Sequence, residues 1–151
     1  GLEEGRRGVG SEATATTVWG VDRETYLDKA DPWPLNPDGE LLLGVKIENV
    51  RGASNLEQIL SVPGLGFAEM GPGDLSMSLG YKVCPKPLPP EMDEVRERVK
   101  KACQANGVAF LSVCTIDDIE GRIDEGVRIV AGGQEEIAKK GRAYTKRQMP
   151  V

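Results

Sequence analysis

Gly44-Val45-Lys46-Ile47-Glu48 and Phe67-Ala68-Glu69-Met70-Gly71-Pro72-Gly73-Asp74-Leu75-Ser76 are the two stretches that decide how this sequence folds. Each reads as a short apolar run that ends in a carboxylate. A helix-like segment lies between them, and the whole has the length of one strand-helix-strand unit. In parallel α/β architectures functional groups gather at the carboxyl ends of strands, so Glu48 and Asp74 are expected side by side at one rim. Two carboxylates converging there make a site for a hard divalent cation. Glu69, one pleat below that rim, reads as a structural or partner-facing acid.

Working outward, residues 41–47 form an unbroken apolar run that predicts a strand buried on both faces of a parallel sheet. Ser54-Asn55-Leu56-Glu57 fits a capping box, which predicts a helix over 55–61 that buries Leu56, Ile59 and Leu60. A second strand follows over 66–70, with Gly71-Pro72-Gly73-Asp74 as the turn at its end. Residues 85–90 hold four prolines and predict a loop. Residues 91–106 carry an apolar stripe, Met92, Val95, Val99, Ala102 and Cys103, at helical spacing, with Gly107 placed to cap the end. A strand over 108–114, a helix over 116–124, a strand over 127–131 and a helix over 134–147 complete the series. Alternation of this kind means parallel strands with right-handed helical crossovers, either in an open doubly wound sheet or in part of a barrel. Upstream, residues 6–11 read as turn-rich loop. A short helix over 26–30, with Asp22 as its cap, precedes a proline-rich break at 31–39. The expected organisation is a single domain or half-barrel over 1–151, with a loop-rich lead-in over 1–40 and four βα units over 41–151.

Composition sets the limits. The 151 residues suffice for one core and are too few for two ordinary domains. No apolar run approaches the roughly 18 residues of a membrane span, and no leader pattern is present. A cytoplasmic location is expected. Cys84, Cys103 and Cys114 are odd in number and lack paired spacing, which predicts reduced thiols rather than a disulfide framework or a zinc site. The net charge of −5 disfavours nucleic acid or an acidic membrane as a partner. Small molecules and protein subunits remain. The sequence has no histidine, so the commonest general base at neutral pH is missing from it.

Taken together, Lys46-Ile47-Glu48, Asn55-Leu56-Glu57-Gln58-Ile59-Leu60, Val62-Pro63-Gly64, Gly71-Pro72-Gly73-Asp74-Leu75-Ser76 and Leu79-Gly80 resemble the metal-binding half of the class II pyruvate aldolases, the HpcH/HpaI aldolase/citrate lyase family. Arg7-Gly8-Val9-Gly10 and Tyr26-Leu27-Asp28-Lys29-Ala30 match the loop before the family's fifth barrel strand. The resemblance implies the C-terminal half of a (β/α)8 TIM barrel. It also implies that Glu48 and Asp74 are the two protein ligands of a divalent metal, magnesium or manganese. Backbone amides around Gly73 and Asp74 would hold the carboxylate of a 2-oxo acid such as pyruvate. A hydroxyl before Trp19 would assist, from Thr16 or Thr17, with Thr17 as the candidate. The implied reaction is retro-aldol cleavage of a 4-hydroxy-2-oxo acid to pyruvate and an aldehyde through a metal-stabilised enolate.

The sequence departs from the family in one respect. The family's catalytic histidine and substrate-clamping arginine belong to its early strands, and neither is found here; Arg6 and Arg7 belong to the loop motif. No catalytic base is therefore assigned, and the sequence reads as a fragment, a split subunit or a truncated relative. Four strands alone leave two sheet edges and an apolar face, so a homo-oligomer or a complementary half-barrel is expected. Two alternatives stand beside the aldolase reading. One is a non-catalytic half-barrel that binds metal and 2-oxo acid or acts as a scaffold, and the other is a CoA-ester lyase of the citrate lyase β type.

Overall fold

The computed structural model describes residue 10, residues 12–131 and residues 134–148. The Arg6 and Arg7 loop motif lies outside the described residues. The chain forms two units, Gly1–Leu41 and Leu42–Val151.

The first unit holds α1 (Glu12–Trp19), α2 (Arg23–Lys29) and the two-residue strand β1 (Pro32–Trp33), and β2 (Leu41–Leu42) begins at its end. The sequence reading places no element before residue 26, so α1 is an addition. Glu12, Ala13 and Ala15 favour a helix, and Gly20, at φ +67°, ends it. The expected cap of α2 is formed, with Asp22 Oδ1 accepting from the Thr25 N–H at 2.7 Å. The Trp19 and Tyr26 rings meet edge to face at 5.1 Å. That ring contact and the Arg23–Glu12 ion pair at 3.2 Å join α1 to α2. The proline-rich break is mostly turn, as expected, apart from β1.

The second unit runs β3 (Gly44–Ile47), α3 (Val50–Ser54), α4 (Leu56–Leu60), β4 (Phe67–Met70), α5 (Pro72–Ser78), α6 (Pro90–Asn106), β5 (Ala109–Val113), α7 (Ile119–Glu125), β6 (Val127–Ala131) and α8 (Glu135–Thr145). Its sheet is parallel throughout, in the order β3-β4-β5-β6. That order settles the choice left open by the sequence. A doubly wound sheet reverses direction at a switch point, whereas here every strand is added on the same side as the last. Right-handed crossovers then place the helices on one face, which is the arrangement of a barrel arc. The core lies between sheet and helices: Ile47, Ala68, Met70 and Phe110 from the strands meet Leu56, Leu60, Met92, Val99 and Cys103 from α4 and α6. The predicted stripe on α6 is buried, Val95 partly so, and Gly107 closes the helix at φ +67°.

Three local expectations are corrected. The strand predicted over 41–47 is broken at Leu43, whose carbonyl accepts from both Gly66 N–H (2.8 Å) and Phe67 N–H (3.3 Å). It is not buried on both faces either, since Leu42 and Leu43 are exposed. The Ser54 capping box does not form. Asn49 caps a turn earlier, its Oδ1 accepting from Gly52 N–H at 2.7 Å, so Ser54 ends α3 and donates back to Val50 O at 2.9 Å. Glu57 is drawn instead to Arg98, 2.9 Å away. Finally, Gly71-Pro72-Gly73-Asp74 is the start of α5, with Gly71 as N-cap and Pro72 at the first position that proline favours.

On the sheet face opposite the core, strand alternation stacks side chains in rows. Gly44, Phe67 and Ala109 are register partners in one row, and Lys46, Glu69, Leu111 and Ile129 in the next. The Phe67 ring lies over Gly44, where a Cβ would overlap it.

Candidate active site at the carboxyl rim

The rim above β3 and β4 is built by the ladder. Lys46 pairs with Glu69 and Ile47 with Met70, and Gly71 N–H donates to Ile47 O at 3.0 Å. Glu48 and Gly71 are therefore the next cross-strand neighbours. Ile47 and Met70 point into the core, and the period of two turns Lys46, Glu48 and Glu69 to the opposite face.

The side chain of Glu48 lies over Gly71. A Cβ at residue 71 would stand 2.8 Å from Glu48 Cδ and closer still to Oε1 and Cγ. Gly71 has φ −85°, so it is the space above it, not its backbone angle, that excludes a side chain. Lys46 Nζ reaches Glu48 Oε1 at 3.0 Å and Glu69 Oε2 at 3.6 Å. The hydrogen bond to Glu48, with the charges of Glu69 and Glu48, holds the Lys46 ammonium above the ordinary lysine range. Lys46 was not singled out by sequence reasoning. The alternation Lys46-x-Glu48 beside Glu69-x-Gly71 was the signal, since it turns three charges to one face.

Asp74 is exposed in the first turn of α5. Gly73 is open, with no atom near the position of a Cβ, and its carbonyl accepts from Ser76 Oγ at 2.6 Å. The segments that follow β3 and β4 are joined where Val50 N–H donates to Ser78 Oγ at 3.1 Å. Thr17 belongs to the first unit, where its hydroxyl donates to Ala13 O at 3.0 Å within α1.

As a donor set, Glu48 and Asp74 offer oxygen only, and no group of three or more Asp, Glu, Cys or His that could hold a metal occurs among the described residues. Such a set suits a cation that keeps several positions for water or substrate, as magnesium does, and suits zinc poorly. The room that Gly71 leaves for the Glu48 carboxylate is consistent with that fit.

Beside Glu69 a cleft of about 660 Å³ opens between Pro72, Leu88, Phe110 and Asp118. Its wall is stiffened by Arg96, which lies 5.5 Å over the Phe110 ring and pairs with Glu125 at 2.6 Å. Arg122 adds contacts to Asp118 at 3.2 Å and Glu125 at 3.3 Å. Partial burial works against ionisation of Glu125, but the Arg96 and Arg122 guanidinium groups outweigh it and hold the carboxyl below its ordinary range.

A sequential parallel βα sheet with acids at its carboxyl rim defines a partial (β/α) barrel of the kind that carries enzyme sites. The family model of the HpcH/HpaI aldolase/citrate lyases matches residues 3–138, and the chain belongs to that family. It is 34% identical to a hydroxypyruvate/pyruvate aldolase of Roseobacter denitrificans, over 85% of this chain and 46% of that protein. Its fold matches a family member from Burkholderia cenocepacia with a TM-score of 0.60 and 24% identity, over 93% of this chain and 50% of that one. It also matches the citrate lyase beta subunit of M. tuberculosis, a complex with oxaloacetate and magnesium, with a TM-score of 0.58 and 17% identity, over 68% of this chain and 51% of that one. The chain thus spans about half the length of these relatives. No helix among the described residues is long and apolar enough to cross a membrane.

Proposed function

We propose that this chain supplies the metal-binding and 2-oxo-acid-binding half of an aldolase site, with Glu48 and Asp74 as its two protein ligands. The observation that carries the reading is the cradle over Gly71, which reserves space for the Glu48 carboxylate at the rim it shares with α5. The name of the Roseobacter relative supports pyruvate or a similar 2-oxo acid as the small molecule. The magnesium in the citrate lyase beta subunit supports magnesium or manganese as the metal.

Within the proposed half-site, each residue has a role that its position allows. Glu48 is held at the end of β3 by the ladder and lent room by Gly71. Asp74 presents its carboxylate from the first turn of α5, where the amides of Gly73 and Asp74 have no carbonyl partner within their own helix. Those amides are suited to a substrate carboxylate, and the bare face of Gly73 lets it approach. A bound divalent cation would supply Lewis-acid stabilisation of the negative charge that develops as a carbon-carbon bond breaks. The chain has no histidine, so a proton-transfer base is assigned to another segment or to a partner subunit. The same lack favours, as a second reading, a half-barrel that binds metal and 2-oxo acid without turning them over.

Calorimetric titration of the purified chain with manganese, with and without pyruvate, tests this reading. Metal binding that strengthens with pyruvate and is lost in both Glu48→Gln and Asp74→Asn is the expected result. A folded wild-type chain that takes up no metal would overturn it.

A further inference from the structure

We propose that Lys46 is a built-in counter-cation that competes with the divalent metal for Glu48 and is taken over by Glu69 when the metal is bound. The inference rests on the reading of Glu48 as a ligand and adds to it a residue that sets the affinity of the site.

Three features of the rim carry it. Lys46 and Glu48 are two residues apart on one face of β3, and the ammonium stands 3.0 Å from Glu48 Oε1. A cation that binds Glu48 must therefore displace this ammonium or accept its repulsion. Glu69 is the register partner of Lys46 on β4, with Oε2 3.6 Å from Nζ. The displaced ammonium thus has a second carboxylate within reach of a small side-chain rotation. Lys46 Nζ already lies between the two acids, and its side chain is half exposed, so no packing has to break for the shift. The bare face of Gly71 leaves the Glu48 carboxylate its room while the ammonium moves.

The chemistry follows. With Lys46 on Glu48 the rim carries no uncompensated pair of acids, which spares the chain the repulsion between Glu48 and Glu69. With a metal on Glu48, the Lys46–Glu69 pair keeps the second acid from becoming a competing ligand. Glu69 thus acts as the acceptor of the exchange, and Lys46 is a positioning residue.

The test is manganese titration of the purified chain in the wild type, Lys46→Met, Lys46→Arg, Glu69→Gln and the Lys46→Met/Glu69→Gln pair, with thermal unfolding recorded for each. Lys46→Met is expected to tighten manganese binding roughly thirtyfold, the factor a unit charge about 4 Å from a divalent cation exerts in a high-dielectric setting. Lys46→Arg, which keeps the charge, is expected to stay near the wild type. Glu69→Gln is expected to weaken binding more when Lys46 is present than in the Lys46→Met background, because the ammonium then has only Glu48 to hold. A purely structural role for Lys46 would move the unfolding temperature and leave this coupling at zero. If the wild type binds manganese through Glu48 while Lys46→Met binds equally or more weakly, the exchange is overturned and the ligand reading stands. If neither the wild type nor Lys46→Met binds manganese, both fall together.

Discussion

The carboxylate of Glu48 occupies the volume that a side chain on Gly71 would fill, so the first glycine of the Gly71-Pro72-Gly73-Asp74 motif is tied to an acid on the neighbouring strand. Replacing Gly71 with alanine leaves the backbone at an ordinary φ of −85° and must push the Glu48 side chain aside. The expected loss is about 1–3 kcal/mol of stability, the usual cost of overpacking, with weaker metal binding. Chemical denaturation and manganese titration of Gly71→Ala check both. Unchanged metal affinity would show that the cradle has no part in the site.

A second glycine sets the row below. Gly44→Ala would drive a methyl group into the Phe67 ring, so it is expected to destabilise the β3–β4 ladder. Phe67→Leu in the same chain should recover much of that loss by making room. A double-mutant cycle by denaturant unfolding measures the coupling. Additive effects would mean that the ring and the glycine do not meet.

The acid limb of stability should report the Arg96–Glu125–Arg122 cluster. The folded-state pKa of Glu125 lies below its ordinary value of 4.5 despite partial burial, because the two guanidinium groups outweigh desolvation. Its contribution is then complete above that ordinary value and is lost as pH falls through the lower, folded-state pKa. Asp118 is depressed in the same direction by the Thr115 amide and hydroxyl and by Arg122, again against the effect of burial. Glu125→Gln is expected to flatten the fall in stability below about pH 5, measured by thermal unfolding across pH. An acid limb of wild-type steepness would exclude the cluster as its source.

The three cysteines should differ in reactivity. Cys103 is wholly buried, and burial pushes its thiol up to about 11; burial also raises that of Cys114. Cys84 is partly exposed. A thiol reagent at mildly alkaline pH should therefore label Cys84 first and reach Cys103 only when the chain opens. Peptide mapping of the labelled protein decides the order.

The order of the βα units was legible because each strand of the second unit is a short apolar run and α4 and α6 carry stripes at spacings of three and four. Glu48 was legible as the acid that closes the apolar run of β3, and Asp74 as an acid soon after β4, although its place in the first turn of α5 was not. Lys46 was hidden by its place inside an apolar run; only the register, which puts it opposite Glu69, gives it meaning. Ser54 misled because two caps compete for the same stretch and Asn49 wins by starting a turn earlier. The Gly-Pro-Gly sequence reads as a turn until Pro72 is seen as the first residue of a helix that continues to Ser78. Helix α1 has no apolar stripe that is buried, so periodicity had nothing to detect.

In the ladder β3-β4-β5-β6 every strand pairs only with the strands before and after it in the sequence. Each closure spans one crossover, and the chain behaves in this respect like a stack of repeats whose stability is shared between nearest neighbours. Fraying would then begin at the outer strands and proceed inward one unit at a time. The Glu48–Gly71 junction belongs to a single such unit, so a lesion at β6 has to pass through β5 and β4 before it is felt there.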